Sequence, residues 1–127
     1  MKRLLIAALS GFILLSAFTC NKNQSTDHVY RGKLVRKGLC MNYTISVVSG
    51  SIDTAKVQSS WTDPQTNTTF QNAFRLESVC DFPTNLQEGD EFSFVIDNNA
   101  PTDCAVCLAF YPTPRKGLKI RVVNTNR

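Results

Sequence analysis

From residue 29 onward, the chain is built of short segments in which apolar and polar residues alternate, with turn-forming residues between them. In one segment, Tyr43, Ile45 and Val47 fall on one face of an extended strand, and Met41 precedes them at the same spacing. The same pattern predicts strands at residues 29–35, 41–47, 55–61, 70–79, 91–96, 105–111 and 118–123. No segment after the first 20 residues repeats apolar residues at helical spacing over three turns. We therefore expect an all-β domain of about six strands.

The turns between these segments suit an antiparallel sheet, which could form either a barrel or a sandwich. The first long segment is interrupted at Lys37 and Gly38, where a strongly curved first strand would bend. That break favours a small Greek-key barrel of the OB-like shape. Within 91–96, the aromatic rings of Phe92 and Phe94 are predicted to point inward. A length of 127 residues suits a single β domain over residues 29–127.

The first 19 residues are unlike the rest of the chain. Lys2 and Arg3 precede an apolar run over residues 4–18, after which the composition becomes polar. A run of about 15 apolar residues is short for a membrane span of about 20 and is typical of a signal peptide. We therefore expect residues 1–19 to direct export and to be removed.

The apolar run ends in Ala17, Phe18, Thr19 and Cys20, and this A-F-T-C sequence resembles the lipobox of bacterial lipoproteins. The resemblance implies cleavage before Cys20 and a palmitate-bearing lipid on that residue, which would anchor the chain to a membrane of the bacterial cell envelope. Residues 20–28 are polar and are predicted to form a tether. The alternative is an ordinary signal peptide that leaves Cys20 free or in an intermolecular bridge.

Five cysteines leave one unpaired thiol in an exported protein, and lipidation of Cys20 accounts for it. The remaining four, Cys40, Cys80, Cys104 and Cys107, are predicted to form two disulfides. Of the three connectivities, we favour Cys40–Cys80 with Cys104–Cys107. The local bridge requires a turn between its cysteines, because positions i and i+3 of an extended strand are about 10 Å apart and too far to be bonded.

The spacing of Cys104 and Cys107 also allows other chemistry. A zinc ribbon uses two C-x-x-C pairs and this chain has one, while haem attachment needs a histidine where Leu108 stands. A working thiol pair is favoured by a helix following the cysteines, and the residues after Cys107 have a strand pattern. We therefore predict no metal and no cofactor. Thiol-disulfide exchange by Cys104 and Cys107 is kept as an alternative function.

Candidate catalytic residues are scarce. His28 is the only histidine and lies in the polar tether, where no third group would hold it beside a nucleophile. None of the common catalytic motifs occurs, so we predict that the protein is not an enzyme. Trp61, at the boundary of a strand and a turn, and Tyr111, before a proline-rich turn, are candidate ligand contacts, although a lone tryptophan is more often part of a core.

The formal net charge is +4, of which Lys2 and Arg3 belong to the leader, so nucleic acid is not an expected partner. We expect a monomeric, envelope-anchored binding or structural module whose ligand is an unknown protein or glycan. A second alternative is an accessory or inhibitor subunit that presents the loop Tyr111–Pro114 to a partner. An exposed apolar patch around that loop would favour this alternative.

Overall fold

Seven β-strands and one 3-10 turn are found in residues 27–126, the part of the chain that this computed structural model describes. The strands are β1 (Tyr30–Lys37), β2 (Tyr43–Ser49), β3 (Gln58–Asp63), β4 (Thr68–Leu76), β5 (Glu91–Ile96), β6 (Gly117–Leu118) and β7 (Ile120–Asn126). The predicted all-β class is confirmed. The predicted signal peptide and Cys20 lie outside the described residues. Within residues 27–126, no helix is long and apolar enough to cross a membrane.

Six strands follow the order β3-β4-β2-β1-β5-β7 across one sheet, and β6 pairs with β4 off this path. β1 is antiparallel to both β2 and β5. β6 is parallel to β4, whereas β7 is antiparallel to β5. Only Lys119 separates β6 from β7, so the end of the chain runs from β4 on one side of the sheet to β5 on the other. The six-strand path is itself open, and closure into a barrel stays a prediction.

Aromatic residues dominate the core. Phe74, Phe92 and Phe94 are fully buried, and the ring centroids of Phe92 and Phe94 lie 6.0 Å apart. β5 has the predicted bounds, and the predicted inward orientation of its two phenylalanines is confirmed. Each such side chain contributes about 1.5–3 kcal/mol when it is removed from water. Other members of this core cluster are Leu34, Ile45, Val47, Val57, Leu76, Phe82, Leu86 and Ile120.

The chain reverses between β1 and β2 in a 3-10 turn over Leu39–Met41. Cys40 and Met41 have φ angles of 56° and 59°, in the left-handed region, so the predicted strand 41–47 begins only at Tyr43. Lys37 and Gly38 mark the end of β1 rather than a bend within it. This reversal brings Cys40 to the end of the sheet farthest from the start of β1.

The segment after β4 is fixed by a buried serine. The predicted strand 70–79 ends at Leu76, two residues before Ser78. The Ser78 hydroxyl donates to the Ile120 carbonyl at 2.7 Å and accepts the Ile120 N–H at 2.8 Å. The side chains of Phe82 and Leu86 are buried farther along the same segment. Cys80 is therefore held beside the sheet by its neighbours on both sides.

Candidate functional site

Residues 101–111, here called the stapled loop, lie in the irregular connection between β5 and β6. Residues 101–110 are all exposed. The predicted strand at 105–111 is wrong: among residues 27–126, no hydrogen bond between backbone groups involves the stapled loop. The loop therefore lacks the neighbouring strand that a ladder needs, although large side chains recur at every second position from Val106 to Phe110.

Two disulfides attach the stapled loop to the domain. Cys40 bonds to Cys107 with a Cα–Cα distance of 5.0 Å, and Cys80 bonds to Cys104 with a Cα–Cα distance of 5.6 Å. The predicted pairing of Cys40 with Cys80 and of Cys104 with Cys107 is therefore wrong. Without a turn between them, Cys104 and Cys107 are left to bond with cysteines on other segments.

Hydrogen bonds reinforce the attachment next to Cys107. The side-chain amide of Asn42 donates to the Ala109 carbonyl at 3.0 Å and to the Leu39 carbonyl at 2.7 Å. The Ala109 N–H donates to Cys40 Sγ at 3.4 Å. The residue on either side of Leu108 is thus bonded to the turn after β1.

The attached loop presents large apolar side chains to solvent. Leu108 is 99% exposed and Phe110 is 88% exposed, while Val106 is 44% exposed. Leu39 and Met41, on the turn that carries Cys40, are also exposed. We call these five residues the apolar tip. Exposed apolar residues grouped in this way are typical of a binding surface, whereas scattered ones carry no such meaning.

The segments that carry the apolar tip contain no charged residue. The sequence has no acidic or basic residue from Cys104 to Pro114, nor from Gly38 to Ile52. Interface centres are depleted of charged residues and enriched in aromatic residues and methionine. The composition of the tip is that of an interface centre.

Tyr111 closes the base of the stapled loop. Its half-buried ring packs against Gly38, where an added Cβ would lie 2.5 Å from Tyr111 Cδ1 and 2.6 Å from the Asn42 carbonyl oxygen. Only glycine leaves room for this approach. Trp61, the other candidate ligand contact, is 7% exposed and stacks on Phe70 with ring centroids 6.1 Å apart. Its role as a ligand contact stays a prediction.

A buried ion pair lies on another part of the sheet. Asp63 is fully buried and accepts hydrogen bonds from Arg36, from the Gln65 N–H at 2.9 Å and from the Thr66 hydroxyl at 3.0 Å. Burial alone would raise the pKa of Asp63, but these hydrogen bonds, led by that from Arg36, outweigh it and lower the pKa below its ordinary value. The hydrogen bond to Asp63 correspondingly raises the pKa of Arg36. The pair links the end of β3 to β1, although these strands are not neighbours in the sheet.

An open groove of about 480 Å³ runs beside this ion pair, on the face of β1 that carries Lys33 and Val35. Arg36 lines it but is already bonded to Asp63, and its guanidinium lies 5.4 Å from the Phe70 ring centroid. Within residues 27–126, no group of three or more histidine, cysteine, aspartate or glutamate side chains is placed to hold a metal ion. His28 is exposed. The apolar tip is consequently the stronger candidate site.

Comparison of the chain with protein-family models, with curated proteins and with solved structures finds no match.

Sequence reasoning assigned Leu108 and Phe110 to a strand and did not predict them as a site. One signal was available in the cysteine spacing. Cys104 and Cys107 are three positions apart, so in a strand their side chains would point to opposite faces. Two cysteines on opposite faces are expected to bond with two different partners, one on each side of the segment. A segment held from both sides by disulfides does not need a strand partner to be ordered.

Proposed function

We propose that this protein is a lipoprotein of the bacterial cell envelope that binds a partner protein through its apolar tip. The observation that carries the proposal is the nearly complete exposure of Leu108 and Phe110 on a backbone fixed by two disulfides. This deepens the expected role of a binding module and favours the alternative of an accessory or inhibitor subunit. The apolar residues lie just before the proline-rich loop that this alternative proposed as the contact.

Preorganisation supports binding by such a loop. Ordering a flexible segment on association costs about 0.5–1.5 kcal/mol for each immobilised side chain, in addition to the backbone cost. The bonds at Cys104 and Cys107 hold the loop backbone before any partner arrives. A few well-placed side chains near the centre of an interface contribute most of its energy. The apolar tip thus combines low ordering cost with two such side chains.

The position of the apolar tip relative to the proposed lipid favours a protein partner over the anchoring membrane. The tether would join the domain at the start of β1, whereas Cys40 follows the end of β1. β1 has eight residues and spans about 23 Å. A lipid on Cys20 would therefore be attached to the end of the domain opposite to the tip.

The redox alternative has less support. It uses Cys104 and Cys107 as a pair that is oxidised and reduced together, as in C-x-x-C proteins. Here each of the two cysteines is bonded to a different partner, Cys80 or Cys40. We therefore do not extend this alternative.

Site-specific photo-crosslinking in native membranes tests the proposal. A benzophenone-bearing residue replaces Phe110 in the full chain, and the matched control carries it at Thr54, which is exposed in the connection after β2, at the other end of that strand. We expect a discrete adduct from position 110 that Leu108→Asp suppresses. The same adducts from both positions, or an adduct that Leu108→Asp leaves unchanged, would contradict partner binding by the tip.

A further inference from the structure

The residues on both sides of Leu108 are attached to the domain, whereas the side chain of Leu108 is in solvent. Cys107, which precedes it, is bonded to Cys40, and Ala109, which follows it, receives a hydrogen bond from Asn42 at 3.0 Å. Its own side chain is 99% exposed. A large apolar side chain is therefore presented to solvent by a backbone that is attached to the domain on both sides of it.

Most backbone groups of the stapled loop are unpaired. Between residues 105 and 111 of the described chain, only Ala109 makes backbone hydrogen bonds, to Asn42 and Cys40, whereas Cys107 is attached through its side chain. Val106, Leu108 and Phe110 carry the large exposed apolar side chains of the loop. Exposed and unpaired N–H and C=O groups are available to another chain that pairs with this segment as an added strand.

Endopeptidases recognise their substrates in this way. The substrate lies extended in the cleft, its main chain pairs with the enzyme, and one side chain enters the specificity pocket beside the scissile bond. Leu108 is placed to enter such a pocket, and the small Ala109 that follows leaves the Leu108–Ala109 peptide bond accessible.

We propose that the stapled loop is a substrate-like inhibitor of an endopeptidase whose specificity pocket accepts a large apolar side chain. This rests on the proposed function and names the class of the partner. The specificity follows from Leu108 and from the absence of acidic and basic residues between Cys104 and Pro114. A pocket that contains a carboxylate for lysine or arginine offers Leu108 no ionic partner.

The attachments at Cys107 and Ala109 would make the loop inhibit the peptidase and not be released as a cleaved product. Hydrolysis of the Leu108–Ala109 bond consumes one water and produces a carboxylate on Leu108 and an ammonium on Ala109. The new carboxyl end stays tied through Cys107 to Cys40, and the new amino end stays beside Asn42. The amine then remains at high effective concentration next to the carboxyl carbon, which favours reformation of the bond over release.

Titration of purified peptidases tests this inference. The oxidised full chain is added to chymotrypsin, whose pocket is apolar, and to trypsin, whose pocket contains an aspartate, and hydrolysis of a chromogenic peptide is followed. We expect inhibition of chymotrypsin alone. Leu108→Lys should weaken chymotrypsin inhibition by about 30-fold or more, as for a central anchor residue, and should create inhibition of trypsin.

The Asn42→Ala variant tests whether the hydrogen bonds of Asn42 protect the loop from cleavage, separately from whether the loop binds the peptidase. It removes the side-chain hydrogen bonds to Ala109 and to Leu39 and leaves the Cys40–Cys107 bond in place. We expect it to be cleaved after Leu108 about tenfold faster than the natural chain, because the loss of one or two hydrogen bonds amounts to about 1.4 kcal/mol, which corresponds to that factor. Mass spectrometry of the reaction locates the cut.

Two results would overturn the inference. One is rapid cleavage of the natural chain after Leu108 with no inhibition, which would make the loop an ordinary substrate. The other is no inhibition by the natural chain together with no gain of trypsin inhibition in Leu108→Lys. If the photo-crosslink at position 110 is still obtained in either case, partner binding stands and only the peptidase inference fails.

Discussion

The side-chain amide of Asn42 donates a hydrogen bond to the carbonyl of Ala109, a residue 67 positions later in the chain. The Cys40–Cys107 disulfide spans the same separation of 67. Two links with equal separation mean that the turn after β1 and the stapled loop run side by side in the same direction. Leu108 lies between the two attached residues of the loop, and this arrangement fixes its backbone while leaving its side chain in solvent.

Substitutions in the apolar tip should affect binding and not stability. Leu108→Asp and Phe110→Asp change side chains that make no core contact, so the free energy of unfolding should stay within about 0.5 kcal/mol of the natural value. Urea unfolding measures it, with Phe92→Ala as the buried comparison, for which we expect a loss of about 3–5 kcal/mol. A loss of more than about 2 kcal/mol in either aspartate variant would mean that the tip is structural.

The sheet was predictable where one of its faces is covered. Phe92 and Phe94 alternate with polar residues because β5 lies over the core, and their pattern identified both the strand and its buried side. Val106, Leu108 and Phe110 also lie at every second position, separated by the smaller Cys107 and Ala109, yet their side chains are uncovered. Alternation indicates which side chains share a face. It does not indicate whether another part of the same chain covers that face.

Two other features depended on distant parts of the chain. The pairing of Cys40 with Cys107 follows from the reversal after β1, which brings residues 67 positions apart into contact, and no local pattern encodes that contact. Asp63 precedes Pro64, a pair that is typical of turns, whereas its carboxylate is buried against Arg36. Both contacts become visible only once the order of the strands is known.

The Asp63–Arg36 pair should make stability depend on acid pH. The folded-state pKa of Asp63 is lowered, so its carboxylate adds stability above the unfolded pKa of about 3.9, and this contribution is lost as the pH falls through the lower folded pKa. In Asp63→Ala the free energy of unfolding should be about 3–5 kcal/mol lower at neutral pH, because Arg36 loses its buried partner. The free energy of unfolding of this variant should also decline less between about pH 4 and pH 2.

Asp81→Ala is the matched control for that experiment, since Asp81 is an exposed carboxylate. Its free energy of unfolding should stay within about 0.5 kcal/mol of the natural value at neutral pH. Equal pH dependence in the natural chain and in Asp63→Ala would show that the ion pair does not govern acid stability.

Gly38 should tolerate no side chain. In Gly38→Ala the added Cβ would lie 2.5 Å from Tyr111 Cδ1 and 2.6 Å from the Asn42 carbonyl oxygen. We expect a loss of about 1–3 kcal/mol in urea unfolding. We also expect faster proteolysis of the stapled loop, because the Tyr111 ring at its base must move. Natural stability and natural resistance to proteolysis in this variant would contradict the close packing of Gly38 against Tyr111.

The lipid anchor has a direct chemical test. Cells that express the full chain and are supplied with labelled palmitate should transfer the label to it, and Cys20→Ser should abolish the labelling. The natural protein should fractionate with membranes, whereas the serine variant should not be held there by lipid. An unlabelled natural chain would favour an ordinary signal peptide and would remove the anchor from the proposed function.

Peptide mapping of the unreduced protein tests the central claim most directly, since every attachment of the stapled loop depends on the disulfide connectivity. After alkylation and digestion, fragmentation between Ala105 and Val106 separates the peptide chains of Cys104 and Cys107. We predict that Cys107 is linked to Cys40 and that Cys104 is linked to Cys80. A Cys104–Cys107 bridge would contradict the account, because Leu108 would then no longer be braced against the turn after β1.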